Sequence, residues 1–312
     1  MAKKDKMSKT PFVSVVTPTF NRRPFIPAAI QCFLNQDYPA HLMEWIIVDD
    51  GTDKVEDLFK GVPNCRYFKY DQKMYLGKKR NLAHELCSGE IIVYMDDDDY
   101  YPPTRVSHAV SVLRANPKVL CAGSSEMHIY FTNIDQMYKF GPYGPNHATA
   151  ATFAFRRELL AKTRYDDTAA LAEEKAFLKD YTIPFIQLDT EKTILVFNHK
   201  HSTFDKQLLL GNSKNPYISI SEKTIDSFSL STDSKSFYCT IVSKLLDEYE
   251  PGLPIHKPEV VEQIELKKDV MKDKHLNQMI QELMRENEEL KKKNEDLKKM
   301  TDYYKNKLKE YY

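Results

Sequence analysis

VYMDDDDYYPPTRV, residues 93–106, sets four consecutive carboxylates, Asp96 to Asp99, directly after an apolar run that begins at Ile91. Four adjacent acids at the end of a buried strand repel one another, and leaving them unpaired is expensive. A hard divalent cation relieves that repulsion, and oxygen ligands suit Mg2+ or Mn2+. An exposed acidic turn is the plainer alternative. It is disfavoured because the acids abut a hydrophobic strand and are followed by Tyr100-Tyr101-Pro102-Pro103, a stiff loop.

Outward from this stretch, short β-branched and aromatic runs recur: FVSVVT (12–17), EWIIVD (44–49), RYFKY (66–70), EIIVYM (90–95), EMHIYF (126–131) and TILVF (193–197). Pro24–Gln36, Gly77–Ser88 and Pro103–Ala115 read as helices between them, two with Pro in the first turn, where its missing N–H is harmless. Apolar runs of this length alternating with helices predict an α/β fold with parallel strands covered on both faces. Ligands then bind at the carboxyl ends of the strands. Three regions follow: an α/β domain over 12–205, a helical extension and hinge over 206–260, and a coiled-coil helix over 261–312. In the extension, Ser219–Phe228 and Ser236–Tyr249 read as helices.

Composition narrows the function. The 312 residues carry 45 Lys+Arg against 45 Asp+Glu, a net charge of zero, which argues against a general nucleic-acid-binding surface. The longest apolar runs are far short of the roughly 20 residues that span a bilayer, and MAKKDKMSKTP has no apolar segment to make it a secretory signal. Five unpatterned Cys read as reduced thiols of a cytoplasmic protein. Only nine glycines are present, about 3% against a norm of roughly 7%, which argues against a glycine-rich phosphate loop.

Three further segments carry chemistry. Asp49-Asp50-Gly51-Thr52 ends a second apolar strand, and its carboxylates could accept hydrogen bonds from a base and ribose, although Asp-Gly is also an ordinary turn. Thr17-Pro18-Thr19-Phe20-Asn21-Arg22-Arg23 ends the first strand, with Phe20 able to stack on a base and the arginines able to meet phosphate. Gly77-Lys78-Lys79-Arg80-Asn81 opens a helix whose N-terminus and cations favour an anion.

Taken in order, these segments resemble the GT-A-fold glycosyltransferases of family 2 over about residues 12–205. VYMDDDDYYPPTRV is similar to that family's metal-binding DXD segment, and PTFN, IIVDDGT and GKKRN to its nucleotide-site segments. The whole chain also resembles glycosyltransferase-like proteins of large DNA viruses, which would put it in host cytoplasm or virion. The resemblance implies a Rossmann-like nucleotide-sugar-binding sheet. Pro18, Thr19 and Phe20 would line the base pocket. Asp50 would hold the base with Asp49 beside it, and Arg80 would lie near base or diphosphate. Asp96 and Asp97 would meet ribose and sugar, and Asp98 would ligate the metal, with Asp96 a further candidate. The family usually has Tyr where Phe20 stands, so a hydroxyl contact is lost while stacking is kept.

LAEEKAFL (171–178) resembles the family's xED segment and offers Glu173 and Glu174 as general base. On a helix the two point about 100° apart, so only one faces the site, and Glu174 is favoured. Gly141–Thr149 looks like a loop closing over sugar and acceptor, and His199 or His201 would complete the metal set. The implied activity is an inverting, Mn2+- or Mg2+-dependent transfer from a UDP-linked sugar to a hydroxyl-bearing acceptor such as a glycan.

Near the carboxyl end, Leu276, Leu283, Leu290, Leu297, Tyr304 and Tyr311 recur every seven residues, with Ile280, Asn287, Asn294, Thr301 and Leu308 as the companion set. Leucine at d with Asn at a predicts a parallel homodimer, because buried Asn sets register at some cost in stability. The competing reading is a catalytically inactive glycosyltransferase-like binding module tethered by this coil. A nucleotidyltransferase would show a glycine-rich segment after the first strand, and residues 18–27 contain no glycine.

Overall fold

Every residue of β1 (Val13–Thr19) and β2 (Met43–Asp49) is buried, so these strands run through the centre of a sheet and carry no polar face. The computed structural model that shows this describes residues 10–171, 174–202, 206–210 and 215–310. Helix α1 (Ile26–Leu34) connects the two strands, β3 (Cys65–Lys69) adds beyond β2, and α2 (Leu76–Leu86) leads to β4 (Ile91–Tyr94). Helix α3 (Arg105–Ala115), β5 (Cys121–Gly123), β6 (Met127–Phe131), β7 (Gln136–Phe140) and β8 (Ala154–Arg156) follow. After the one-turn α4 (Glu174–Phe177) come β9 (Phe185–Gln187), β10 (Val196–Asn198) and β11 (Ile218–Ile220).

The main sheet has the order β3-β2-β1-β4-β8-β5-β9. Its β3-β2-β1-β4 half is parallel, whereas β8 runs antiparallel to both β4 and β5. The expectation of a parallel sheet thus holds for the half that bears the acidic strand ends. A second sheet, β10-β6-β7-β11, takes in the TILVF run, of which only the end is a strand. Thr190–Lys192 turns immediately upstream and Leu195 bridges to Tyr100, which uses the backbone the longer strand would need.

The stretch expected to be helical over 219–228 instead pairs Ile218 and Ile220 with β7, then turns at Ile225–Phe228. Helices α5 (Thr232–Ser236) and α6 (Val242–Asp247) flank a π-helical turn. Short turns at Glu250–Gly252 and Pro254–His256 lead to α7 (Pro258–Lys309). By its contacts the chain divides into Met1–Val260 and Val261–Tyr312, so the extension over 206–260 packs as part of the first unit. The second unit is helix as far as Lys309 and leaves Leu276, Leu283, Leu290 and Leu297 exposed. No helix among the described residues is long and apolar enough to cross a membrane.

Two buried ionic groups tie the sheet to its helices. Glu44 of β2 accepts hydrogen bonds from Ser14 Oγ (2.6 Å), Ser88 N (2.7 Å) and Arg66 Nη1 (2.9 Å). Arg105, which opens α3, donates from Nη2 to the carbonyls of Tyr94 (3.1 Å), Thr152 (2.9 Å) and Phe153 (2.8 Å), joining the end of β4 to the segment entering β8.

Among the rings of Tyr94, Phe155, Tyr165 and Phe177 lies His84 of α2, which meets the Tyr94 hydroxyl. Burial, aided by the Arg80 charge, pushes its imidazole down to about 3, so it stays neutral in the folded state. Because the folded value lies below the unfolded one, the unfolded chain binds the extra proton between pH 6.5 and about 3. Stability from this group is therefore lost as the pH is lowered through that window, by at most about 1.4 kcal/mol per unit. In His84→Gln the decline in melting temperature between pH 6.5 and 4 should be shallower than in the wild type.

Candidate functional site

Because β1, β2 and β4 are parallel neighbours, their carboxyl ends open on one edge of the sheet. Thr19–Arg22, Asp49–Gly51 and Asp96–Asp99 therefore meet there. Asn21 adopts a left-handed conformation (φ 52°), one that Asn tolerates better than most residues. Gly51 lets the neighbouring loop approach it, since a Cβ there would lie 2.6 Å from Asn21 Oδ1 and 2.7 Å from its backbone N. Asn21 Oδ1 then accepts from Asp53 N (2.9 Å).

This turn carries Arg22 inward. The guanidinium lies 3.6 Å from Asp97 and 3.2 Å from Asp98 and donates to the carbonyls of His201 (2.9 Å) and Gly252 (3.3 Å). Arg23 turns outward, to Asp53 and Asp57, away from the place expected for phosphate.

The acidic run splits by environment. Burial and the neighbouring Asp98 charge push Asp97 up to about 7. Burial would raise Asp98 too, but Arg22 and His199 outweigh it and hold Asp98 well below the usual carboxylate range. Asp99 is buried and raised well above it. Asp96 leans toward Arg80, at 3.8 Å, and its backbone N–H donates to Tyr101 Oη (2.8 Å). His199 Nε2 lies 3.3 Å from Asp98, and burial pushes this imidazole down to about 4, the neutral form a metal requires. Of the two histidines, His199 is therefore the one beside the acidic run. The buried ring of His201 stacks on Tyr249.

A cleft is lined by Pro18, Thr19, Phe20, Arg22, Lys73, Lys79, Arg80, Asp96, Asp97 and Asp98, with Lys257, Glu259 and Val260 from the end of the first unit. Every donor-site residue named from the sequence except Asp49 and Asp50 is thus on its wall. Asp50 lies at an adjoining hollow with Phe20, Asn21 and Thr52, pairs with Lys79 and accepts from Met74 N (2.6 Å). Asp49 is fully buried and accepts from Gly51 N (2.8 Å), Val55 N (3.2 Å) and the Tyr67 hydroxyl, so it clamps its own loop and presents nothing to a ligand.

Phe20 has the Lys73 ammonium 4.7 Å and that of Lys79 5.8 Å from its ring centre. Lys73 in turn pairs with Glu259. Glu174 opens α4, half-buried, and its charge reaches Tyr181; it is outside the cleft lining, which includes Ala170 from the same segment. Glu173 lies outside the described residues.

Sequence reasoning passed over Lys73, Lys79 and Lys257. Lys79 lies inside the quoted GKKRN, one residue before the cation that was chosen, but the other two stand in no motif.

The donor chemistry suits a divalent cation. Asp97 Oδ2 is buried and meets no hydrogen-bond donor among the described residues, and Asp98 adjoins a neutral imidazole. No three acidic, His or Cys side chains converge at metal-binding spacing among the described residues. Mg2+-type sites, however, are commonly held by one or two carboxylates and completed by substrate phosphates and water.

Comparison with known proteins places the site in a family. The model described as glycosyl transferase family 2 matches residues 14–175, just over half of the chain. A glycosyl transferase of Escherichia coli named for colanic acid biosynthesis is 37% identical over 106 residues, 32% of this chain and 37% of the relative. The poly(ribitol-phosphate) beta-N-acetylglucosaminyltransferase TarS of Staphylococcus aureus is 32% identical over 92 residues, 28% of this chain and 16% of the relative. The chain thus spans well under half of the length of either. Among solved structures, a mannosyltransferase from Pyrobaculum calidifontis in complex with GDP-Man and Mn2+ superposes with a TM-score of 0.50, 19% identity and 67% coverage of both chains. That likeness shows the GT-A-like fold. All three come from cellular organisms, and the expected likeness to viral proteins has no counterpart among them.

Arg22 holds two buried acids apart, so removing it uncovers their repulsion. Arg22→Met should lose about 3–5 kcal/mol in urea unfolding, the scale of breaking a buried ion pair from one side.

Proposed function

Since the chain belongs to glycosyl transferase family 2, we propose that it moves a sugar from a nucleotide-diphosphate donor, UDP-linked, to an acceptor hydroxyl with inversion at the anomeric carbon. The observation that carries this reading is the meeting of an acidic strand end, Asp96–Asp98, with a basic wall of Arg22, Lys79 and Arg80 in one cleft at the carboxyl edge of the sheet. A nucleotide sugar needs both: cations for its diphosphate, and carboxylates for ribose, sugar or metal.

In this reading Pro18–Phe20 and Asp50 receive the base, and Arg80 stands by the diphosphate. Asp96 and Asp97 take the ribose and sugar hydroxyls. Asp98 and His199 would hold Mn2+ or Mg2+, which when bound supplies positive charge against the departing diphosphate. The Mn2+ and GDP-Man of the Pyrobaculum relative support that chemistry. Glu174 takes the acceptor proton as the hydroxyl attacks in line. It must lie within hydrogen-bond reach of that hydroxyl, directly or through one water.

Catalysis is assigned to 12–205 and coiled-coil pairing to 261–312, with a glycan or other hydroxyl-bearing molecule as acceptor. Five free thiols agree with a reducing, cytoplasmic setting.

Release of UDP from candidate UDP-sugars, followed with and without Mn2+, tests the reaction. Glu174→Gln should lower turnover by about 10²–10⁴-fold while leaving UDP binding in place, and Asp98→Asn should lose the response to metal. Full turnover in either variant, or no UDP binding by the intact protein, refutes the mechanism.

The exposed leucines of α7 are assigned to a parallel homodimer. Sedimentation should show a dimer that Leu290→Asp converts to monomer.

A further inference from the structure

From outside the family-matched segment the fold brings one more cation into the cleft, and we infer that Lys257 binds the diphosphate of the nucleotide donor. This rests on the donor reading above and adds to it a residue that lies 82 positions beyond the match, which ends at residue 175.

The strap from Tyr249 to Val260 is fastened over the donor cleft at four points. Tyr249 Oη donates to Asp53 Oδ2 (2.8 Å), Asn21 Nδ2 to the Pro251 carbonyl (2.9 Å) and Arg22 Nη1 to the Gly252 carbonyl (3.3 Å). Glu259 pairs with Lys73 at the far end. Three of these anchors therefore start from the two acidic or polar strand ends that form the nucleotide site. The tight turn Pro254–His256, closed by Lys257 N donating to the Pro254 carbonyl (2.9 Å), then directs Lys257 inward. Only 9% of this lysine is exposed.

Charge on the cleft wall points to the ligand. The lining brings together the cations Arg22, Lys73, Lys79, Arg80 and Lys257 with the acids Asp96, Asp97, Asp98 and Glu259, and Asp50 stands just beyond it beside Lys79. Lys257 shares the cleft with Asp97 and Asp98, which Arg22 contacts, and within it feels their attraction and the like charges of Arg22 and Lys79. Burying an ammonium beside two other cations is costly in the empty protein. A ligand bearing two or more negative charges removes that cost, and lysine is a compact point charge suited to phosphate. A base or a sugar alone has no such charge to offer, so the diphosphate is the part of the donor that Lys257 meets.

The test compares UDP, bound in calorimetry, with uridine, followed by ligand-observed NMR; GDP and guanosine form the second pair. Lys257→Met should weaken diphosphate binding by about tenfold or more and leave the nucleoside unchanged, while Lys257→Arg should retain most of the affinity. Lys257→Gln repeats the comparison should the Met variant not fold. Equal losses for diphosphate and nucleoside overturn the inference, because they mark Lys257 as a structural counter-ion of Asp97 and Asp98. Unchanged diphosphate binding in Lys257→Met, or Lys257→Arg as impaired as Lys257→Met, overturns it as well. If the wild type binds neither UDP nor GDP, the donor reading falls and this inference falls with it; wild-type binding that the Met variant shares refutes this inference alone.

Discussion

One guanidinium holds the candidate site together. Arg22 stands within 3.6 Å of Asp97 and 3.2 Å of Asp98, and its remaining donors reach the backbone at His201 and Gly252. Two buried carboxylates side by side would otherwise repel strongly, because the surroundings screen them poorly. The same side chain thus joins three parts of the chain: the end of β1 that carries it, the acidic run after β4, and the two late segments around 201 and 252.

Electrostatics then sort three chemically identical side chains of the acidic run, Asp97, Asp98 and Asp99, in different directions. Asp98 is held low because Arg22 and His199 favour its charged form, Asp97 is pushed up to about 7, and Asp99 is raised well above the usual carboxylate range by burial and the Asp98 charge. The fold produces these opposite shifts by burial and neighbour charge, the pattern in which perturbed groups cluster at functional sites. The cations are arranged likewise. Arg23 is spent on surface acids, whereas Arg22, one residue earlier, is buried, and the left-handed turn at Asn21 separates their directions.

Much of this was legible beforehand. The strands 44–49 and 90–95, the helices after Pro24, Gly77 and Pro103, and the convergence of acidic ends on one sheet edge all follow from apolar runs and helix-start signals. Where the reading failed, short elements were responsible. β5, β8 and β9 have three residues each, too few to show a period, and TILVF was cut short by a turn and a bridge to Tyr100. Asp49 looked the equal of Asp50 because both follow the same strand; only the fold shows that its oxygens are already taken by Gly51, Val55 and Tyr67.

Local order in the chain was therefore enough to establish an α/β sheet and the acidic terminus of β4, since period and turn chemistry act between near neighbours. Which charges meet which was settled only in three dimensions. Lys257 lines the same cleft as Asp97 and Asp98, some 160 residues earlier, and Glu259 reaches Lys73 across 186. No spacing rule links positions so far apart; the closeness arises because packing of the 206–260 segment onto the first unit brings its end back to the edge where the parallel strands stop.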